Sequence, residues 1–344
     1  MSDASEIDLS ETLRAIVAGA TLSADEAEAM VAGFVSGSAS DVQVGALLAA
    51  IETRGPTPEE VAGGVRALRG AMRVVPAGDP DTLVDTAGTG GGSITTFNIS
   101  TAAAVVAAGA GVRMAKHGNR SFTSRSGSAD VLEALGVRID LDPERMAEIL
   151  DEVGIVFMFA PLLHPAMRHV GPIRRTLGIP TLMNLLGPLT NPAGARRQVV
   201  GVSDAALVPL LVAAFRELGH LRALVVHGSG IDEFSPLGPS RVAQLEGDAL
   251  EEVEVTPEDL GEEIHPEEGL AGGEPHENAR VIREVLEGDR RDAARAAVVM
   301  NAAAAIWAGG AAETLAAAAD VARRSLDSGA ALARLEALRE ASNA

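Results

Sequence analysis

The chain has 344 residues, 47 % apolar and 22 % charged, which excludes a disordered chain and sets one large domain or two ordinary ones. Aromatics are only 2 %, cysteine is absent and the formal net charge is −20. These exclude base-stacking platforms, disulfides, thiolate metal sites and cysteine nucleophiles, and argue against general binding to nucleic acid or an anionic membrane.

Of the 28 basic residues only Lys116 is a lysine. Scarce Lys with abundant Asp and Glu points either to a protein that lives in high salt, where screening removes self-repulsion, or to a GC-rich genome that favours Arg, Ala and Gly codons. No run of about 18 apolar residues predicts a membrane span. The acidic stretch Met1–Glu11 lacks the plan of a secretory signal, so the expected location is the cytoplasm.

In chain order, the first 75 residues read as three or four short helices. Ser23-Ala-Asp-Glu26 and Ser40-Asp-Val-Gln43 are capping boxes, and Thr57-Pro58-Glu59-Glu60 is an N-cap followed by Pro and acids. Pro76–Pro80 breaks the pattern. Beyond it, strand-like runs at 82–85, 112–115, 155–159, 198–202 and 223–226 alternate with helical runs at 101–108, 130–135 and 204–218. Such alternation predicts an α/β unit with a central, largely parallel sheet flanked by helices. Residues 248–292 hold 16 acids against four Arg and read as a solvated, partly looped edge. The last 45 residues read as two closing helices.

Four groups of residues can carry chemistry. After the first strand, Gly88-Thr89-Gly90-Gly91-Gly92-Ser93 is a turn whose N–H groups can approach an anion, phosphate being the usual guest. It matches neither the Walker A nor the dinucleotide pattern. Thr96-Phe-Asn98-Ile-Ser100-Thr101 then opens a helix, whose N-terminus favours anions and whose hydroxyls can take phosphate or metal. The second group is Lys116-His117-Gly118-Asn119-Arg120 at a strand end, followed by the polar turn from Ser124 through Ser128 to Asp130. Lys116 suits phosphate as a compact point charge. The third is His164-Pro-Ala-Met167 with Arg174, a combination that can cradle a carboxylate. Gly171-Pro172 lies between them and argues against one unbroken helix. The fourth is Asp232-Glu233, adjacent carboxylates in a loop after a strand, suited to Mg²⁺ with phosphate oxygens and water.

Taken together, Gly88-Thr-Gly-Gly, Asn98-x-Ser100-Thr101, Lys116–Arg120, Gly127–Asp130, His164–Met167, Asn184–Pro192 and Asp232-Glu233 resemble the anthranilate phosphoribosyltransferases. The match runs in order from about Ala15 to Trp307. The family joins anthranilate to phosphoribosyl pyrophosphate in tryptophan synthesis. The resemblance implies a small α-helical domain at 1–75, joined by about 170–186, and a larger α/β domain made of 76–169 and 187–344. It also implies a homodimer through the helical domains.

The resemblance assigns roles as well. Gly88, Thr89, Gly90, Gly91, Asn98, Ser100, Thr101 and Lys116 would hold the sugar phosphate and pyrophosphate, with Thr96, Gly118 and Ser128 completing the substrate set. Ser100 would touch one Mg²⁺, and Asp232 and Glu233 would hold a second. Asn119, His164 and Arg174 would place anthranilate, with His117 and Pro188 along its approach. Gly92 and Ser93 depart from the family's usual Asp after the double Gly, which implies a looser turn and altered metal use. A pyrimidine nucleoside phosphorylase fits the segments 116–120 and 164–167 less well. A non-catalytic nucleic-acid-binding relative conflicts with the charge of −20.

Overall fold

The computed structural model describes residues 7–121 and 125–344. Helices α1 (Leu9–Val17), α2 (Ala24–Ser36), α3 (Asp41–Arg54) and α4 (Pro58–Ala71) come first. The expected capping boxes form at α2, α3 and α4. In each, the hydroxyl of Ser23, Ser40 or Thr57 accepts a backbone N–H, and Glu26, Gln43 or Glu60 answers the cap's own N–H. Gly63 allows α2 and α4 to touch, since a Cβ there would stand 2.1 Å from the Ala24 carbonyl oxygen.

The chain then runs through β1 (Leu83–Gly88), α5 (Ile99–Gly109), β2 (Arg113–Gly118), α6 (Ser128–Ala134), α7 (Pro143–Val153) and β3 (Ile155–Phe159). The one-turn helix α8 (Ala160–Leu163), α9 (Met167–Leu177) and α10 (Leu182–Leu189) follow. Next come β4 (Arg197–Gly201), α11 (Leu207–Glu217), β5 (Arg222–Gly228), β6 (Ser240–Glu246) and β7 (Ala249–Val255). Helices α12 (Pro275–Glu287), α13 (Ala293–Ala308), α14 (Leu315–Asp327) and α15 (Ala330–Asn343) close the chain.

The sheet order is β3-β2-β1-β4-β5-β6-β7. The five strands β1 to β5 are mutually parallel, while β6 and β7 add as an antiparallel hairpin. All five expected strands appear, with ends shifted by up to three residues. The hairpin is an addition to them. β7 is an edge strand whose Glu251, Glu252 and Glu254 leave it without an apolar stripe, so a solvated edge is right but β7 and α12 lie within it. Charge on an exposed edge also blunts pairing with other chains.

Alternation along β5 shows how the sheet separates two apolar layers. Ala223 and Val225 face a cluster with α11 and the N-terminal helices, while Leu224 and Val226 face α5 and α12 to α14. The second layer relies on small side chains, since every residue of α13 is buried and Ala102–Ala108 of α5 are too. Val170 of α9 and Leu182, Leu185 and Leu186 of α10 share the first cluster with α2, α3 and α4. The chain does break between His164 and Arg174, but at 164–166 and not at Gly171-Pro172. Pro172 lies inside α9, where its ring takes the place of one intrahelical N–H.

His220, just after α11, is 3 % exposed and stands edge-on to Phe215 with centroids 4.6 Å apart. Burial lowers its pKa to about 3, Arg69 adds repulsion, and the Phe215 carbonyl opposes the shift weakly. In the unfolded chain a His titrates near 6.5, so the unfolded state binds the extra proton between about pH 6.5 and 3. Stability therefore falls as pH drops through that window, by up to about 1.4 kcal/mol per pH unit for one group. His220→Phe is expected to flatten the fall in urea midpoint between pH 7 and 5. An unchanged slope contradicts this assignment.

Candidate active site

Strand order reverses between β1 and β4, and open α/β sheets bind ligands beyond the strand ends at such a switch point. Here the loop carrying Asp232 and Glu233 drops onto those ends because three glycines clear its path. A Cβ at Gly201 would stand 1.6 Å from the Asp232 carbonyl oxygen, one at Gly88 2.4 Å from Asp232 Oδ2, and one at Gly228 2.3 Å from the Glu233 carbonyl oxygen. Any side chain at Gly201 displaces the loop.

The Gly88–Ser93 turn is built against that loop. Gly90 and Gly91 take φ of +71° and +89°, a region glycine enters freely. The Gly90 N–H donates to Asp232 Oδ2 at 2.8 Å, and Thr89 N–H to the Gly201 carbonyl at 2.9 Å. Ser93 donates to the Gly230 carbonyl through its N–H at 3.0 Å and its hydroxyl at 3.1 Å. Thr89, Gly90 and Ser93 thus each tie the turn to the neighbouring loop or strand end. Thr96 pairs with Ala271 as an isolated bridge.

At the head of α5, Asn98 occupies the cap position but its side chain does not cap the helix. Its amide instead meets Ser126 and Asn278. Glu233 takes the capping role, accepting the Ser100 N–H on Oε1 at 3.1 Å. Thr101 departs from its expected part. It is 1 % exposed, its hydroxyl has no hydrogen-bond partner among the described residues, and it lines a cavity of about 10 Å³ together with Lys116.

Lys116 lies 3 % exposed on β2. Its Nζ donates to the Thr86 carbonyl at 2.7 Å, to Thr86 Oγ1 at 3.2 Å and to Ser100 Oγ at 3.4 Å. All three donors are therefore used within the protein, and its charge reaches the site as a field. Burial lowers its pKa, and Asp85 and Glu233 oppose that shift. Asp85, fully buried on β1, is pushed up to about 6 by burial, with Lys116 pulling it back. It accepts from the His117 N–H at 3.0 Å and from Asn191 Nδ2 at 2.8 Å, which fixes the end of β2 against the 190–192 turn.

Burial raises the pKa of Asp232, and burial followed by repulsion from Asp232 raises that of Glu233 to about 8. Two adjacent carboxylates that disfavour their own charge fit a divalent cation. Among the described residues no third His, Asp or Glu joins them to form a metal cluster. The remaining ligands must then come from hydroxyl, water or phosphate oxygens.

Beyond β2, Ser128 Oγ donates to the Asn119 carbonyl at 3.3 Å, and Gly118 leaves room for that hydroxyl. Arg120 is held by Asp130 and Glu133 at 2.7 and 2.6 Å. Ser124, at the start of the expected polar turn, lies outside the described residues.

His117 Nε2 and His164 Nε2 meet at 3.2 Å. Burial lowers both pKa values, His164 to about 4, which favours the neutral form of each ring. The Pro188 carbonyl accepts from Gln198 Nε2. Arg174 projects from α9, half-buried, its guanidinium with no ion-pair or hydrogen-bond partner among the described residues; burial lowers its pKa. The structure thus joins the Gly88–Ser100 segment, Lys116 and Asp232-Glu233 directly, and links His117 to His164. Among the described residues no hydrogen bond or ion pair ties Arg174 to either group.

Asp85, Asn191 and Gly228 lie within or beside the motifs read from the sequence but carry no role there, and Gly201 and Asn278 lie outside them. A charged residue inside a buried strand marks Asp85, and glycines at two strand ends mark Gly201 and Gly228. Nothing local marks Asn278.

Residues 80–332 match the glycosyl transferase family α/β domain, and residues 10–72 match its helical bundle domain. An anthranilate phosphoribosyltransferase of Rubrobacter xylanophilus is 51 % identical over 95 % of this chain and 96 % of its own, and one of Natronomonas pharaonis is 48 % identical over 96 % and 99 %. A crystal structure of the Thermus thermophilus anthranilate phosphoribosyltransferase superposes with a TM-score of 0.92 at 41 % identity, covering 98 % of this chain and all of that one. The Saccharomyces cerevisiae enzyme in complex with PRPP and Mg superposes at 0.87 with 27 % identity, each chain 99 % covered. With a glycine-cradled carboxylate pair at the switch point and identity of this order along nearly its whole length, the chain belongs to the anthranilate phosphoribosyltransferase family.

Proposed function

We propose that the protein transfers the 5-phosphoribosyl group from phosphoribosyl pyrophosphate to anthranilate, giving N-(5-phosphoribosyl)anthranilate and pyrophosphate, a step of tryptophan biosynthesis. The observation that carries this reading is the Asp232-Glu233 pair held against both the Gly88–Gly91 turn and the first turn of α5. That arrangement puts cation ligands, glycine N–H groups and a helix N-terminus around one place, as a pyrophosphate with its cation requires.

Ser100, Asp232 and Glu233 would hold Mg²⁺, in two sites. When bound, Mg²⁺ neutralises charge on the departing pyrophosphate. The chain's own contribution is positioning and a fixed field. Gly88–Gly91 and Thr96–Ser100 bind the donor, and Lys116 supplies positive potential from behind β1. The attacking arylamine is neutral at pH 7, so no strong base is required. Orientation by Asn119, His164 and Arg174, with His117 and Pro188 along the approach, does the work that effective concentration can supply.

Residues 1–75 with about 170–186 form the helical domain in this reading, and 76–169 with 187–344 the α/β domain. It is a homodimer through the helical domains, in the cytoplasm, acting on small molecules and not on nucleic acid or membrane. Among the described residues no helix is long and apolar enough to cross a membrane.

Titration calorimetry tests the donor assignment. Phosphoribosyl pyrophosphate is expected to give heat with Mg²⁺ and little without it. Equal heat in both conditions contradicts the metal assignment, and no heat in either contradicts the function. A charge of −20 also predicts stabilisation by salt. The thermal midpoint is expected to rise between low and molar KCl, and a flat or falling midpoint contradicts adaptation to salt.

A further inference from the structure

We infer that Asn278, on the edge helix α12, is a positioning residue for the donor half of the site, and that it acts through the side-chain amide of Asn98. The inference rests on the reading of Thr96–Ser100 as part of the donor site.

Asn278 is 2 % exposed, although it sits in the acid-rich edge of the chain. Its Oδ1 accepts the Gly273 N–H at 2.8 Å, and its Nδ2 donates to Asn98 Oδ1 at 2.9 Å. Asn98 in turn donates through Nδ2 to the Ser126 carbonyl at 3.1 Å and accepts the Ser126 hydroxyl on Oδ1 at 3.1 Å. The partners are 28 and 180 positions from Asn98 in sequence, so three distant segments meet at one amide.

The direction of this chain of bonds is fixed from both ends. A carbonyl can only accept, so the Ser126 oxygen requires the amino group of Asn98 to face it. That turns Asn98 Oδ1 toward Asn278, which must then present its own amino group. The Oδ1 left over on Asn278 faces the Gly273 N–H, which can only donate. Neither amide can flip without placing oxygen against oxygen or N–H against N–H in a buried place.

The backbone repeats the same junction. The Phe97 N–H donates to the Leu270 carbonyl at 3.1 Å, and the Gly272 N–H to the Thr95 carbonyl at 3.0 Å. A Cβ at Gly272 would stand 2.2 Å from the Thr96 carbonyl oxygen, so only glycine permits this approach. Residues 270–273 are thereby zipped along 95–97, and Asn278 locks the zip to Asn98 and, through it, to the turn before α6. Asn98 is the cap residue of α5, two positions before Ser100. Its placement sets the head of the helix that faces Glu233.

The test is Asn278→Asp. The shape is kept and the bond to Gly273 survives, but a carboxylate oxygen now faces Asn98 Oδ1. The expected result is a rise of roughly tenfold or more in the KM for phosphoribosyl pyrophosphate, the cost of one mispaired buried polar group. The KM for anthranilate at saturating donor stays unchanged. Asn278→Ser, which removes the amide without adding charge, is expected to shift the same constant in the same direction, and it carries the test should the Asp variant not fold. His276→Ala, exposed on the same helix, is the control and leaves both constants alone.

A folded variant with both constants unchanged, or with both raised equally, overturns the inference while the donor reading stands. Wild-type protein that gives no calorimetric heat with phosphoribosyl pyrophosphate and Mg²⁺ overturns the donor reading and this inference with it.

Discussion

Glu233→Gln is expected to lower turnover by about 10²–10³-fold, the size of effect that follows loss of one electrostatic contact to developing charge. The same substitution is expected to leave the thermal midpoint unchanged or to raise it. Function and stability part here because the site is built against its own stability. Glu233 is drawn away from water with Asp232 beside it, and burial and that neighbour both disfavour its charge. Lys116 and Ser100 oppose them without cancelling them. Gln keeps an oxygen where Oε1 accepts the Ser100 N–H at 3.1 Å, so the helix cap survives. Lys116 keeps the attraction of Asp85. What is lost is the carboxylate a cation needs. Turnover against Mg²⁺ concentration and a thermal melt of the same sample decide it. A variant that melts lower and turns over normally would make Glu233 a structural residue.

Arg174→Ala has the second largest expected effect, a rise of roughly 10- to 100-fold in the KM for anthranilate with that for phosphoribosyl pyrophosphate unchanged, as for a lost hydrogen-bonded contact between charged groups. The chain holds 48 acids, yet Arg174 pairs with none of the described ones, and α9 contains no Asp or Glu. An unpaired, half-buried guanidinium is costly without an anion, and a planar carboxylate matches its fork. Gly171 and Pro172 lie within α9, while Val170 anchors it beside α2 and α3, so the arginine is carried on a fixed element. Arg174→Lys keeps the charge but not the fork and is expected to recover only part of the loss. Equal effects on both Michaelis constants contradict the assignment.

The elements legible in the sequence are those specified locally. Ser23-Ala-Asp-Glu26 starts a helix whatever its neighbours do, and Ile155–Phe159 has no alternative to a buried strand. The Gly88–Gly91 turn and Asp232-Glu233 read as anion and cation ligands because of residue type and position after a strand.

Other features depend on partners distant in sequence. β7 is a strand because β6 pairs with it, while its glutamates argue for a loop. Asn98 reads as a donor contact because it precedes a helix, but its bonds to Ser126 and Asn278 depend on segments 28 and 180 positions away. Thr101 reads as another because hydroxyls at a helix start suit anions, but its side chain turns inward toward Val105 and Lys116. Gly201 is an ordinary strand end until the Asp232 carbonyl rests on it.

The central claim is that this site joins anthranilate to the donor sugar. The most direct measurement is the fluorescence of anthranilate mixed with the protein, phosphoribosyl pyrophosphate and Mg²⁺, at low and at molar KCl. The account predicts a loss of signal that needs all of these components. Undiminished fluorescence at both salt levels, from protein shown to be folded, would contradict it.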